Sequence, residues 1–311
     1  MTDYKKGLHK IGDSTYAYLQ PDGSWGWSNA GLVSDGKDSM LIDTLFDLTL
    51  TREMLDEIKQ NVSAAKHIDT LVITHANGDH VYGNELVKNA EIIASKACAE
   101  EMNDTPPQVM ADLIKTGPEM GELGEFFMRC FSAFNFNGIT MTLPTKTFEG
   151  RLDFTVGSKA VNLIEVGPCH TKGDIIVFVP GDKTVFAGDI LFIGGTPIMW
   201  IGPVKNWIRA CDLMLDMESD FFVPGHGPIT DKKGVDSIKS YWLYVEAEAR
   251  KRFDAGMSVE DAAVDIDLGP YSTWGQKERI AINVASLFRE FRCDDTPLNV
   301  VELFGLMAKM V

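Results

Sequence analysis

Apolar residues recur along this chain in two rhythms. Between residues 14 and 43, short apolar runs alternate with the turn signals "QPDGSWGWSNAG" and "SDGKD" and end in "SMLIDT". Runs this short, bounded by Gly, Asp and Asn, predict successive strands. In "LTLTREMLDEIKQNV", residues 48–62, the apolar positions fall at helical spacing and predict a first helix. "IDTLVIT" reads as a β-branched strand, "NELVKN" as the start of a further helix with Asn84 at its N-cap, and "EIIAS" as a strand again.

The rhythm then changes. Residues 95–136 are rich in Met and Phe and broadly helical, interrupted by Pro-Pro and Gly-Pro. From about 138 to 188 strands dominate: "GITMTL", "TFEGRLDFTVG", "AVNLIEVG", "DIIVFVP" and "KTVFAGD". "VKNWIRACDLMLDM" predicts a helix, and "DFFVPGHGP" a strand running into a loop. Beyond about 230 the pattern is mainly helical, and the amphipathic "GQKERIAINVASLFREF" is expected either on the body or at a dimer face. The order predicts an α/β fold: a body over 1–230, a mainly helical insertion over 95–136, and a helical extension over 231–311.

Composition narrows the partners. The 311 residues are 45% hydrophobic, which suffices for a substantial core. Against 29 Lys and Arg stand 45 Asp and Glu, a formal charge of −16. Such a surface repels phosphate backbones and anionic lipid, so neither nucleic acid nor membrane is an expected partner, and a small molecule is. Five scattered cysteines with no C-x-x-C pair argue against a disulfide scaffold or a thiolate zinc site. The first residues contain no apolar signal-like core and no run approaches the length of a membrane span, so a cytoplasmic location is expected.

The chemistry concentrates in the histidines. Four of the six, His75, His80, His170 and His226, sit where an apolar strand runs into a glycine-containing loop, in "LVITHANGDH", "LIEVGPCHTKGD" and "FFVPGHGP". A further segment of this kind, "TVFAGDI", ends on Asp189. Loops leaving one sheet edge bring distant side chains to a point, and imidazole with carboxylate is the donor set of a zinc-like cation. His9 and His67 lack this setting and are expected to be surface or structural.

In "THANGDH", "GPCHTKGD", "FAGDI" and "PGHG", taken in that order with the opening "SNAGLVSDGKDSMLIDT", the chain resembles the metallo-β-lactamase-fold hydrolases over about residues 15–230. The resemblance implies a four-layer αβ/βα sandwich of two mixed sheets flanked by helices, with the site at one edge. It implies a first metal position at His75, residue 77 and His170, a second at Asp79, His80 and His226, and Asp189 bridging them. The family pattern is H-x-H-x-D-H, and here Asn77 replaces the middle histidine. An amide oxygen is a weak neutral donor, so the expectation is a retained second ion with a labile or absent first one. Zinc is the expected cofactor, as one or two ions, with iron and manganese as alternatives.

Asp79, His75 and His170 form the expected catalytic set, the two histidines ordering substrate or moving a proton around a metal-bound hydroxide. Asp43 is expected in a structural hydrogen bond. Asp174 either orients a ligand imidazole or caps a turn, and Cys169 is expected to be buried. Met110, Met120, Phe127 and Met128 form one expected apolar wall, and Phe192, Met199, Trp200 and Trp207 a second. The function expected is a metal-dependent hydrolase of a small hydrophobic or aromatic ester, lactone, thioester or activated ether. A mononuclear iron oxygenase and a non-catalytic subunit of an assembly are the alternatives, and a homo-oligomer or partner subunit belongs to the same expectation.

Overall fold

Two sheets lie face to face in the computed structural model, which describes residues 4–311. The first holds β1 (Gly7–Lys10), β2 (Thr15–Leu19), β3 (Ala30–Asp35), β4 (Asp38–Ile42), β5 (Thr70–Val72), β6 (Glu91–Ser95) and β7 (Lys146–Phe148) in chain order. Its first four strands are antiparallel hairpin neighbours, and β4 to β7 run parallel. The second sheet runs in the order β12-β11-β10-β9-β8. Its members are β8 (Arg151–Val156), β9 (Lys159–Glu165), β10 (Ile175–Val179), β11 (Thr184–Phe186) and β12 (Phe221–Val223).

Strands covered on both faces are apolar throughout, which is why "SMLIDT" and "DIIVFVP" show no clean alternation. In β3, Val33 packs between the sheets beside Val177, while its neighbour Leu32 faces outward. Helix α1 (Leu48–Asn61) covers that outer face with Leu50, Met54 and Ile58, and Asp47 caps it by accepting from Leu50 N at 2.8 Å. The same layer holds the single turn α2 (Gly78–Val81), then α3 (Lys96–Glu101), α4 (Pro107–Thr116) and α5 (Gly121–Phe131). The second sheet is covered by α6 (Val204–Asp216) and α7 (Lys232–Asp254), with α8 (Val259–Asp265) and α9 (Ile280–Phe291) beyond. Helix α10 (Val300–Lys309) crosses back to contact α5. The result is the four-layer sandwich, helices outside and two mixed sheets within.

Three local expectations fail for physical reasons. "TFEGRLDFTVG" is not one strand: the chain turns at Gly150, at φ +71°, and its halves join different sheets as β7 and β8. "GITMTL" forms no ladder, because its backbone is taken up by side chains, Thr140 N donating to Glu85 Oε1 and Asn84 Nδ2 donating to Thr142 O. Asn84 caps nothing: it is buried, accepts from Thr44 Oγ1 at 2.9 Å, and opens only a single 3-10 turn over Asn84–Val87. Among the described residues no helix is long and apolar enough to cross a membrane.

One carboxylate clasps the two sheets. Asp182, in the turn after β10, accepts from Ser14 N at 2.6 Å, Ser14 Oγ at 2.9 Å and Thr15 Oγ1 at 3.1 Å, and Lys159 Nζ lies 3.4 Å away. Burial alone would raise its pKa, but the bonds from Ser14 and Thr15, with Lys159, outweigh burial and hold it below the ordinary carboxylate range. Asp182→Ala should therefore cost about 2–3 kcal/mol in urea unfolding at neutral pH. Because the folded pKa is depressed, that difference should be full above pH ~4 and shrink as pH falls through the folded value. A difference unchanged by acid would contradict the clasp.

Candidate metal centre

Every donor sits just beyond the end of a strand. Strand β4 delivers Asp43, β5 delivers His75 and then α2 with Asp79 and His80, β11 delivers Asp189 and β12 delivers His226. His170 comes from the loop between β9 and β10. The loops pass so closely that Gly225 has no room for a side chain, since a Cβ there would lie 1.9 Å from Asp189 Oδ1.

The Asp189 carboxylate lies amid four imidazoles. Its Oδ2 is 3.3 Å from His170 Nε2, 3.5 Å from His226 Nε2 and 3.7 Å from His75 Nε2, and its Oδ1 is 3.2 Å from His80 Nε2. Asp79 Oδ2 lies 3.2 Å from His226 Nε2 and 3.9 Å from His80 Nε2. Donors around one tetrahedral zinc-like ion at ~2.1 Å stand roughly 3.4 Å apart, so these spacings suit a shared cation. Two overlapping triads, His75–His80–Asp189 and Asp79–His80–His226, each keep their donor atoms within 4.8 Å of one another.

Outer hydrogen bonds fix how three of the four rings present themselves, while His226 Nδ1 is buried without a partner. Asp43 takes φ +61°, a left-handed conformation strained for a non-glycine residue, and its buried carboxylate accepts three bonds. These come from Thr74 N at 2.7 Å, Thr74 Oγ1 at 2.7 Å and His80 Nδ1 at 2.9 Å. Since Thr74 gives its proton to Asp43, its oxygen can only accept from His75 Nδ1, at 3.0 Å. His170 Nδ1 donates to Ile198 O at 2.6 Å. All three imidazoles thus carry a proton on Nδ1 and turn Nε2 inward, the nitrogen a metal ligand would offer.

Buried His75 Nε2, His80 Nε2 and Asp189 Oδ1 have no hydrogen-bond partner. Such orphaned groups are costly unless something else satisfies them, and a divalent cation fits two carboxylates and neutral imidazoles. Burial, then His80, pushes the His75 pKa well below the usual value. Burial opposes charge on His80 and His226 too, but Asp189, with Asp79, outweighs it and raises both. Asp189 itself is held well below the carboxylate range, His226, His80 and His75 outweighing its burial.

Asn77, expected as a weak oxygen donor at the first metal position, stands beside His170. Its Nδ2 donates to His170 Nε2 at 2.8 Å, so the amide engages that lone pair. Asp174 touches no ligand imidazole: it accepts from Cys169 N, Thr171 N and Thr171 Oγ1 and caps the turn, while burial pushes its carboxyl up to about 8. Cys169 is buried, and His9 only closes a local bond to Lys5 O.

A cavity of about 1110 Å³ opens on Asp79, His170, Asp189 and His226. Met110, Met120, Phe127, Phe192 and Trp200 line it. Met128 does not, and Met199 and Trp207 are fully buried in the core beneath, where Trp207 Nε1 donates to Ile190 O. Sequence reasoning missed Trp25, Arg279 and Phe304, which complete the wall. Trp25 packs on Phe131 and Phe304 at 5.9 and 5.6 Å between ring centres. The aromatic density of "DGSWGWS" was the available signal for Trp25.

The sandwich, the strand-end donors and their order define a metallohydrolase-type scaffold. The model of the Metallo-beta-lactamase superfamily matches residues 23–226, and the chain belongs to that superfamily. The 2,4-dinitroanisole O-demethylase subunit alpha of Nocardioides sp. (strain JS1661) is 22% identical over 205 residues, 64% of this chain and 52% of that protein. Metallo-beta-lactamase type 2 of Bacillus sp. (strain 170) is 23% identical over 213 residues, 66% of this chain and 68% of that one. The solved structure of the stereoselective inverting sec-alkylsulfatase Pisa1 from Pseudomonas sp. superposes with a TM-score of 0.68 at 16% identity, covering 92% of this chain and 50% of that one. At that identity the likeness is one of fold. The chain spans about half the length of the demethylase subunit and of the alkylsulfatase.

Asp43→Asn tests the hydrogen-bond scheme, because an amide of the same shape no longer fixes the His80 proton on Nδ1. Its affinity for zinc, read by competition with a chromophoric chelator, should fall roughly 10–100-fold while the circular dichroism stays native. Unchanged affinity would mean that Asp43 does not orient the ligand.

Proposed function

We propose that this chain is a metal-dependent hydrolase of a small hydrophobic or aromatic substrate bearing an ester, lactone, thioester or activated ether bond. One observation carries the reading: a largely apolar cavity of about 1110 Å³ opens on a buried cluster of inward-turned imidazole and carboxylate donors. The lactamase and sulfatase relatives are hydrolases by name, and the Nocardioides relative is named for an aryl methyl ether, which supports the activated-ether member of the class. That relative is also a subunit by name, which supports a partner subunit here.

Asp79, His80, Asp189 and His226, joined by His75, are the residues that would hold the cation. Zinc is the ion we favour, and when bound it supplies a water acidified to a pKa of about 7 and an electrophile for a substrate oxygen. His170 lines the cavity with its Nδ1 proton committed to Ile198 O, so its Nε2 can only accept. That atom is placed to take a hydrogen bond from substrate, or a proton released during attack, in exchange for the Asn77 amide. Phe127, Phe192 and Trp200 hold the apolar body of the substrate and exclude water. One firmly held ion belongs to this reading, because Asn77 both lacks a strong donor and occupies the His170 lone pair.

Metal analysis after desalting should find one ion per chain, and two in Asn77→His; two in the unaltered protein would overturn the single-ion assignment. Against a panel of nitrophenyl esters, lactones, thioesters and activated aryl ethers, His80→Ala should lose at least ~100-fold in kcat/KM with its fold intact. Metal-loaded protein that turns over none of these would sink the hydrolase reading, and substrate-dependent oxygen uptake would replace it with an oxygenase.

A further inference from the structure

In a chain of net charge −16, one arginine is buried without an ionic partner. Arg279 lies in the single turn Lys277–Arg279 leading into α9, is 2% exposed, and lines the same cavity as Asn77, Asp189 and His226. Its Nη1 donates to Thr196 O at 3.0 Å. Its Nε is buried with no partner, and no protein acceptor meets Nη2. Among the described residues no carboxylate makes a direct ion pair with the guanidinium: Glu278, which accepts from Trp25 Nε1 at 3.0 Å, Asp189 and Asp79 act on it only at longer range.

Ring faces hold the guanidinium in place. It sits 4.2 Å from the Trp25 ring and 5.2 Å from the Phe192 ring, and Phe192 stacks on the His226 imidazole at 5.1 Å. Cation–π contact offsets part of the cost of burying the charge, but it leaves the N–H donors unmet. A purely structural role as a cap for Thr196 O would use one of five donors. The unused Nε and Nη2 lie along one edge of the plane, the edge that grips an oxyanion through two parallel bonds.

We propose that Arg279 is an anion-recognition subsite, and that the substrate is an apolar molecule carrying a carboxylate or similar oxyanion group within reach of the metal cluster. The Nε–Nη2 edge receives the anion, Trp25 and Phe304 cover the adjoining apolar part, and Phe192 separates the anion from the His226 side of the centre. This rests on the hydrolase reading only for the statement that the bound molecule is a substrate.

The test is binding. 4-Phenylbutyrate and its neutral amide, 4-phenylbutyramide, are titrated calorimetrically into the protein as isolated and after chelator treatment. The acid should bind the unaltered protein at least ~10-fold more tightly than the amide in both forms. Arg279→Gln should lose roughly 10–100-fold for the acid and nothing for the amide, and Arg279→Lys should keep part of the preference. Equal binding of acid and amide overturns the proposal, as does a preference that survives Arg279→Gln. A preference confined to the metal-containing form also overturns it, since the ion would then be the receptor. If Arg279→Gln does not fold, the acid–amide comparison on the unaltered protein and on Arg279→Lys still decides. Failure of every ester and ether to turn over, with the acid preference intact, would remove the hydrolase reading and leave the subsite standing.

Discussion

The candidate metal centre depends on a carboxylate that lies behind the inward-facing nitrogens and oxygens rather than among them. Asp43 leaves the end of β4 in a left-handed conformation and gathers the Thr74 backbone, the Thr74 hydroxyl and the His80 ring. Through Thr74 it also sets the proton of His75, so a single side chain determines which nitrogen two imidazoles turn inward. Buried carboxylates are costly, and this one is retained with its accepting capacity largely used. Removing it would leave the donors in place as atoms but not as ligands.

The clustering of histidines and aspartates was legible in the sequence because each lies within a few residues of an apolar strand. His75, Asp79, His80, His170, Asp189 and His226 could be read this way, and the sheets that carry them followed from the same runs. What escaped was set by contacts between distant segments. Nothing within "TFEGRLDFTVG" says that its two halves serve different sheets; the partners β6 and β9 decide it. Asp174 and Asn84 sit in motifs that suit either of two roles, and the choice was made by Thr171 in one case and by Thr44 and Thr142 in the other. Trp25 and Glu278 meet across nearly the whole chain, with no periodicity to announce the pairing.

The family match ends at residue 226, at the last donor, while the cavity does not. Its outer wall uses Arg279, Arg289 and Phe304 from beyond that point, and Trp25 from the loop before β3. The candidate ion-holding side chains thus all lie within the matched region, whereas the cavity wall is shared between that region and the part of the chain beyond it. A fold of this kind hosts proteins whose names specify a lactam, an alkyl sulfate and an aryl ether.

The packing of Trp25 on Phe131 and Phe304 carries a consequence for biosynthesis. During translation His75, Asp79, His80, His170, Asp189 and His226 have all been synthesised once residue 226 is added, whereas Phe304, which closes the aromatic enclosure, is added 78 residues later (304 − 226). The clustered side chains and the complete cavity wall thus become available at different moments in the life of the nascent chain, and the last aromatic of that wall is among the last residues to be added.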